Sequence, residues 1–125
     1  MVKKTVIIVE DETLTSEYLK ELLESYGYNV SGVYPTGEES LADLDNSRPD
    51  LVLMDINLAG ELSGIETASI IKEKAGIPIV YLTAVSNLSV IERADRTGHF
   101  GFLIKPVNPQ DLNMTVSSAI ARASM

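Results

Sequence analysis

Leu51-Val52-Leu53-Met54-Asp55 is the stretch that decides the fold of this chain. Four apolar residues in a row, with no polar residue alternating between them, describe a strand covered on both faces, as in the parallel sheet of an α/β domain. Thr5 to Val9 repeats the pattern, and Glu10 and Asp11 follow that run as Asp55 follows Met54. As neighbouring parallel strands, the two runs bring three carboxylates to the carboxyl edge of the sheet, where open α/β sheets bind their ligands. Carboxylates about 5 Å apart repel by roughly 3 kcal/mol per pair at an effective dielectric of about 20. Protons or a bound cation must relieve that repulsion, and a hard divalent cation is the simplest answer.

Outward from these two runs, apolar stretches alternate with helical periodicity in five strand-helix pairs. Thr5 to Val9 precedes a helix whose Leu14, Tyr18, Leu19, Leu22, Leu23 and Tyr26 fall on one face, closed by Gly27. Asn29 to Tyr34 is the second strand, and Thr36 with Glu39 forms a capping box for a helix bearing Leu41 and Leu44. Pro49 introduces the third strand, Leu51 to Met54. A loop with Gly60 and Gly64 then leads to a helix from about Ile65 to Lys74, with Ile65, Ala68 and Ile71 or Ile70 inward and Gly76 stopping it. Ile77 to Leu82 is the fourth strand, followed by a weaker amphipathic helix over Leu88 to Thr97 that ends at Gly98. Phe100 to Ile104 is the fifth strand, and Asn108 with Pro109 opens a last helix towards Ala123. The fold expected is a doubly wound, five-stranded parallel sheet, and right-handed crossovers favour the order 2-1-3-4-5.

With 125 residues the chain is expected to form one domain, residues 1–125, with one sheet and one site. Ten basic against eighteen acidic residues give a net charge of −8 without any basic block, so direct nucleic-acid contact is not expected. The absence of Cys excludes disulfides, thiolate zinc sites and cysteine nucleophiles, and fits a reducing cytoplasm. The apolar run after Lys3 and Lys4 is interrupted by Glu10, Asp11 and Glu12, far short of a secretory core or a membrane span. The lone His99 reads as surface or loop, and Tyr18, Tyr26, Tyr28, Tyr34 and Tyr81 as packing or half-buried surface.

Polar residues mark four strand ends: Glu10 and Asp11, Asp55, Thr83 and Lys105. A carboxylate, a hydroxyl and an ammonium around a cation suit phosphoryl chemistry, in which cation and Lys neutralise phosphoryl oxygens, Thr donates a hydrogen bond and a carboxylate attacks phosphorus. Asp55, flanked by apolar Met54 and Ile56, is the nucleophile candidate, leaving Glu10 and Asp11 to hold the metal. Singly, each residue has an ordinary explanation: solvated loop start or cap for the acids, turn hydroxyl for Thr83, snorkelling surface residue for Lys105. Together those explanations require four coincidences.

The acidic pair Glu10-Asp11, Asp55 in Leu-Met-Asp-Ile, the Thr83-Ala84 pair and Lys105-Pro106, in this order, resemble the receiver domain of two-component response regulators, the CheY-like superfamily with its flavodoxin-like (βα)5 architecture. The resemblance covers essentially the whole chain. It implies a cytoplasmic phosphorelay switch: Mg²⁺ or Mn²⁺ held by Asp11, Asp55 and the backbone carbonyl of Asn57, with Glu10 direct or through water, and a phosphoryl group taken by Asp55 from a sensor histidine kinase or histidine phosphotransfer protein. It implies that Thr83 and Lys105 turn to the aspartyl phosphate and that Phe102, for which a plain core role has equal weight, rotates inward as an aromatic switch. The face of the fourth helix, fifth strand and fifth helix then changes shape for a downstream protein target. A cis Lys105-Pro106 bond is also implied, and Asn57 and Val85 would tune the lifetime of the phosphate. Such a domain promotes its own phosphorylation and dephosphorylation and is not a multiple-turnover enzyme.

The loop after Asp55 departs from many receivers, since Gly64 comes one residue late and no Pro precedes it; in this it resembles receivers of multi-domain sensor kinases. Other functions are weaker fits. A haloacid-dehalogenase-like phosphatase with an aspartyl intermediate needs an acid where Asn57 stands, and an FMN site needs a phosphate cradle where Glu10 and Asp11 repel one. A degenerate receiver acting only as an interaction module would not need the intact set of polar strand ends. The chain is expected to be either a stand-alone receiver or a piece of a larger protein.

Overall fold

The computed structural model describes residues 3–84, 86, 89 and 101–124. In chain order the elements are β1 (Thr5–Val9), α1 (Thr13–Ser25), β2 (Asn29–Tyr34), α2 (Gly37–Ala42), α3 (Leu44–Ser47), β3 (Leu51–Asp55), α4 (Gly64–Ala75), β4 (Ile79–Thr83), β5 (Gly101–Ile104) and α5 (Pro109–Ala123). All strand pairings are parallel and the order is β2-β1-β3-β4-β5, as the sequence predicts. Apart from Ser89, the helix read over Leu88 to Thr97, with Gly98, lies outside the described residues, as do Val85, His99 and Phe100.

Alternate strand residues feed two cores, which is why the inner strands carry no polar alternation. Val6, Ile8, Leu51 and Leu53 face one side, where Leu19 and Leu23 of α1 and Leu112 and Val116 of α5 cover them. Ile7, Val9, Val52 and Met54 face the other, against Ala68 and Ile71 of α4 and Leu44 of α3. Burying each large aliphatic side chain stabilises the fold by about 1.5–3 kcal/mol.

Local structure departs from the sequence pattern at four places. Only Ser16, Leu19 and Leu23 of α1 are buried, whereas Leu14 is 80% exposed and Tyr18 and Tyr26 are also exposed. The sheet covers a narrower stripe than the helical period offers. The second helix divides at Asp43, whose carboxylate accepts the Tyr34 hydroxyl at 2.5 Å and the Asn46 side-chain amide at 3.0 Å. β3 extends one residue to Asp55, while β4 begins at Ile79 and runs to Thr83. Phe102 is 42% exposed, which sets aside a core role for it.

Helix ends follow the expected chemistry. Thr36 caps α2 by accepting the Glu39 N–H, but the Glu39 carboxylate meets the Thr36 hydroxyl instead of its backbone N–H, so the expected capping box forms only in its first half. Ser63 and Glu66 form a reciprocal capping box at α4, which ends on Gly76 at φ +64°. Asn108 caps α5, with Pro109 at its first position.

Candidate functional site

Because β1 pairs directly with β3, with Val9 opposite Met54, the chain leaves both strands at the same edge and in register. Asp55 is still inside the ladder, opposite Leu82 of β4, and Thr83 is opposite Ile104 of β5. The Lys105 N–H continues that ladder by donating to the Thr83 carbonyl at 2.8 Å. Four strand ends thus deliver Glu10, Asp11, Asp55, Thr83 and Lys105 to one rim of the sheet. The Lys105-Pro106 peptide is cis.

One oxygen from each of Glu10, Asp11 and Asp55 lies within 4.8 Å of the others. Glu10 and Asp55 are buried and Asp11 is exposed, so the cluster opens to solvent on one side. Lys105 sits between the two buried acids, its Nζ 2.6 Å from Glu10 Oε1 and 3.1 Å from Asp55 Oδ2. The other Asp55 oxygen, Oδ1, accepts the Asn57 N–H at 3.1 Å, and Glu10 Oε2 accepts the Glu12 N–H at 3.2 Å. One ammonium among three ionised carboxylates leaves two negative charges in excess.

The electrostatics show the imbalance. Burial pushes the Glu10 carboxyl above its usual range, and the neighbouring Asp55 pushes it further, against the opposing pull of Lys105. Burial draws the Lys105 ammonium down, yet its bonds to Glu10 and Asp55 outweigh this and leave it above its usual value.

Thr83 is buried, and its hydroxyl donates to the Ala84 carbonyl at 3.1 Å. It reaches the rim without bonding to Asp55. Phe102 lies on β5 three residues before Lys105 and, like Ile104 on the same strand, is exposed. The structure thus gathers the acids, Lys105 and the Asn57 backbone, with Thr83 nearby and Phe102 turned to solvent. No local spacing marks Glu38, whose carboxylate reaches across to the loop after Asp55 and accepts the N–H groups of Glu61 and Leu62. Beside Glu39, a second acid in the first turn of α2 reads only as a complement to the helix dipole; one signal was available in Gly60, which permits the close approach.

Among the described residues no helix is long and apolar enough to cross a membrane. The response regulator receiver domain model matches residues 6–117. The transcriptional regulatory protein PdtaR of Mycobacterium tuberculosis is 37% identical over 121 residues, covering 97% of this chain and 58% of that protein. The transcriptional regulatory protein ZraR of Salmonella typhimurium is 35% identical over 120 residues, covering 95% of this chain and 27% of that one. The chain therefore spans little more than half the length of the first relative and about a quarter of the second. Both are named as transcriptional regulators, so they lend no support to the kinase-associated resemblance of the loop. Among solved structures, the signal receiver domain of a modulated diguanylate cyclase from Desulfovibrio desulfuricans G20 superposes with a TM-score of 0.92 at 37% identity, covering 98% of each chain. By its matched model, its relatives and its β2-β1-β3-β4-β5 sheet, this chain belongs to the response regulator receiver domain family.

Proposed function

We propose that residues 1–125 act as a single receiver whose Asp55 takes a phosphoryl group from the phosphohistidine of a sensor kinase or phosphotransfer protein, in a step that needs Mg²⁺ or Mn²⁺. The observation that carries this proposal is the convergence of Glu10, Asp11 and Asp55 within 4.8 Å, with Lys105 bridging the two buried acids. The donor set suits a hard cation: it is all oxygen and anionic, with one oxygen from each acid within 4.8 Å of the others. Glu10, Asp11 and Asp55 would hold it, with the Asn57 carbonyl completing the set. When bound, the ion offsets the excess negative charge and neutralises phosphoryl oxygens as another anion approaches.

The protein's own groups do the remainder. A carboxylate oxygen of Asp55 attacks phosphorus, the P–N bond of the phosphohistidine breaks, and its electron pair returns to the imidazole nitrogen. The Asn57 N–H on Oδ1 and the Lys105 ammonium on Oδ2 orient the carboxylate. Lys105 then pairs with the acyl phosphate, which adds charge and acceptor oxygens where Asp55 stood. That new acceptor competes for the Thr83 hydroxyl now donated to Ala84. Movement of Thr83 opens space towards which exposed Phe102 turns, altering the surface of β5 and α5. The altered surface would engage a downstream protein, in the cytoplasm and without direct nucleic-acid contact by this chain. A phosphatase of the haloacid-dehalogenase type fits less well, because Asn57 offers no acid two residues after Asp55 and instead turns its N–H to it.

Incubation with acetyl phosphate and Mg²⁺ followed by intact-mass analysis tests the assignment. One phosphoryl adduct is expected on the wild type, abolished by chelator and by Asp55→Asn. An undiminished adduct on Asp55→Asn would reject Asp55 as acceptor.

A further inference from the structure

Residues 56–63 connect β3 to α4 and carry Asn57. The first half of this loop is fastened to the site and the core: the Asn57 N–H bonds Asp55 Oδ1, and the partly buried Leu58 packs on the core cluster beneath α4. The second half leans on α2. Glu38, 23 residues before Glu61, spreads its carboxylate over two consecutive backbone donors, Oε2 accepting the Glu61 N–H at 3.2 Å and Oε1 the Leu62 N–H at 3.1 Å. Gly60 has φ +98°, and a Cβ there would stand only 2.7 Å from Glu38 Oε2. The positive φ favours glycine, and a Cβ there would push the Glu38 carboxylate out of its place over the loop. Thr36 and Ala59 add a parallel bridge beside these bonds. α2 is itself a firm platform, since Gly37 lies against the buried Thr67 of α4 and a Cβ at Gly37 would overlap that side chain.

We propose that Glu38 is a positioning residue for the phosphoacceptor site, clamping residues 60–62 so that the loop keeps Asn57 beside Asp55 before ion or phosphoryl donor arrives. The proposal rests on the Mg²⁺-dependent reading of the acidic cluster. Glu38 touches no reacting group, and its effect passes through the loop backbone. A loop that must be ordered on binding takes that entropy out of the affinity, whereas a loop already held does not. The two N–H groups, Leu62 first, hold the Glu38 carboxyl below its usual range, so the clamp works as a carboxylate forming charge-assisted bonds. The neighbouring Glu39 carries the same charge but meets Thr36 instead, which separates clamping from general electrostatics.

Mn²⁺ binding by electron paramagnetic resonance and amide hydrogen exchange over residues 57–62, on the full chain, test the clamp in wild type, Glu38→Ala, Glu38→Gln and Glu39→Gln. Glu38→Ala is expected to weaken Mn²⁺ binding about 3- to 10-fold, at or below the lower end of the ~10–100-fold typical of groups that orient metal ligands. Exchange at Glu61 and Leu62 should quicken in the same variant. Glu38→Gln, of the same size, keeps one acceptor but points an amide at the other N–H, so it should fall between the two, and Glu39→Gln should match the wild type. Wild-type affinity in both Glu38 variants, or equal weakening by Glu39→Gln, overturns the clamp while leaving the metal site intact. A wild type that binds no Mn²⁺ overturns the metal-site reading, and the clamp with it.

Discussion

Replacing Asp55 with Asn should abolish phosphorylation and yet make the metal-free protein more stable. At the 4.8 Å outer limit of their oxygen spacing, two ionised carboxylates repel by about 3.5 kcal/mol at an effective dielectric of about 20. Asp55 faces two such neighbours, though exposed Asp11 is screened by water and counts for about half as much. Against this relief stands the lost attraction of Lys105 at 3.1 Å, about 5 kcal/mol on the same scale. The pairwise contributions nearly cancel, and Lys105 is not orphaned because Glu10 remains 2.6 Å away. Desolvation decides the outcome: Asp55 is only 5% exposed, and a buried carboxylate carries a penalty of several kcal/mol that an amide of the same shape escapes. After loss of the charge-assisted bond from Asn57, the expected gain is about 1–2 kcal/mol. For a chain of this size that raises Tm by about 3–8 °C. Thermal melts followed by circular dichroism at pH 7 in chelator measure the gain. Mg²⁺ at tenfold its Kd should then stabilise the wild type by about 1.4 kcal/mol and Asp55→Asn by less. A variant melting several degrees below the wild type in chelator would refute the claim of excess negative charge at the rim.

The Glu10 carboxyl titrates above its ordinary value of 4.5 in the fold, so between that value and its folded one the native state holds more proton than the unfolded chain. Its contribution to stability is therefore present in full below the ordinary value and is lost as pH rises through the folded one; Glu10→Gln should flatten this segment of a denaturation-versus-pH curve. Gly64→Ala places a Cβ onto the Asp55 carbonyl oxygen and 2.8 Å from Ile56 Cα, which should cost about 1–3 kcal/mol by denaturant titration and slow adduct formation with acetyl phosphate. Ser63→Ala removes only the cap of α4 and should cost about 1 kcal/mol while leaving the adduct rate near wild type.

The strands were legible because burial on both faces leaves no room for polar alternation, and the runs at residues 6–9 and 51–54 are apolar for that reason alone. Their polar ends were legible too, since a parallel sheet collects all its carboxyl ends on one rim, and pairing of β1 with β3 follows from the doubly wound order. Less was readable where tertiary context chooses among equal local options. The period of α1 offers Leu14, Tyr18 and Tyr26 as readily as Leu19 and Leu23, and only the width of the sheet decides which are covered. The break at Asp43 depends on Tyr34, nine residues away and on another element. Glu38 is the clearest case, because its partners are backbone N–H groups, which carry no side-chain identity to be recognised in a sequence.

The most direct test is to trap the modified residue itself. After phosphoryl transfer from a phosphorylated histidine kinase domain in Mg²⁺, borohydride reduction of the acyl phosphate and peptide mass spectrometry should find homoserine at position 55, at that aspartate alone and only when the metal is present. Homoserine at position 11 with Asp55 untouched, or equal labelling in chelator, would contradict the central claim.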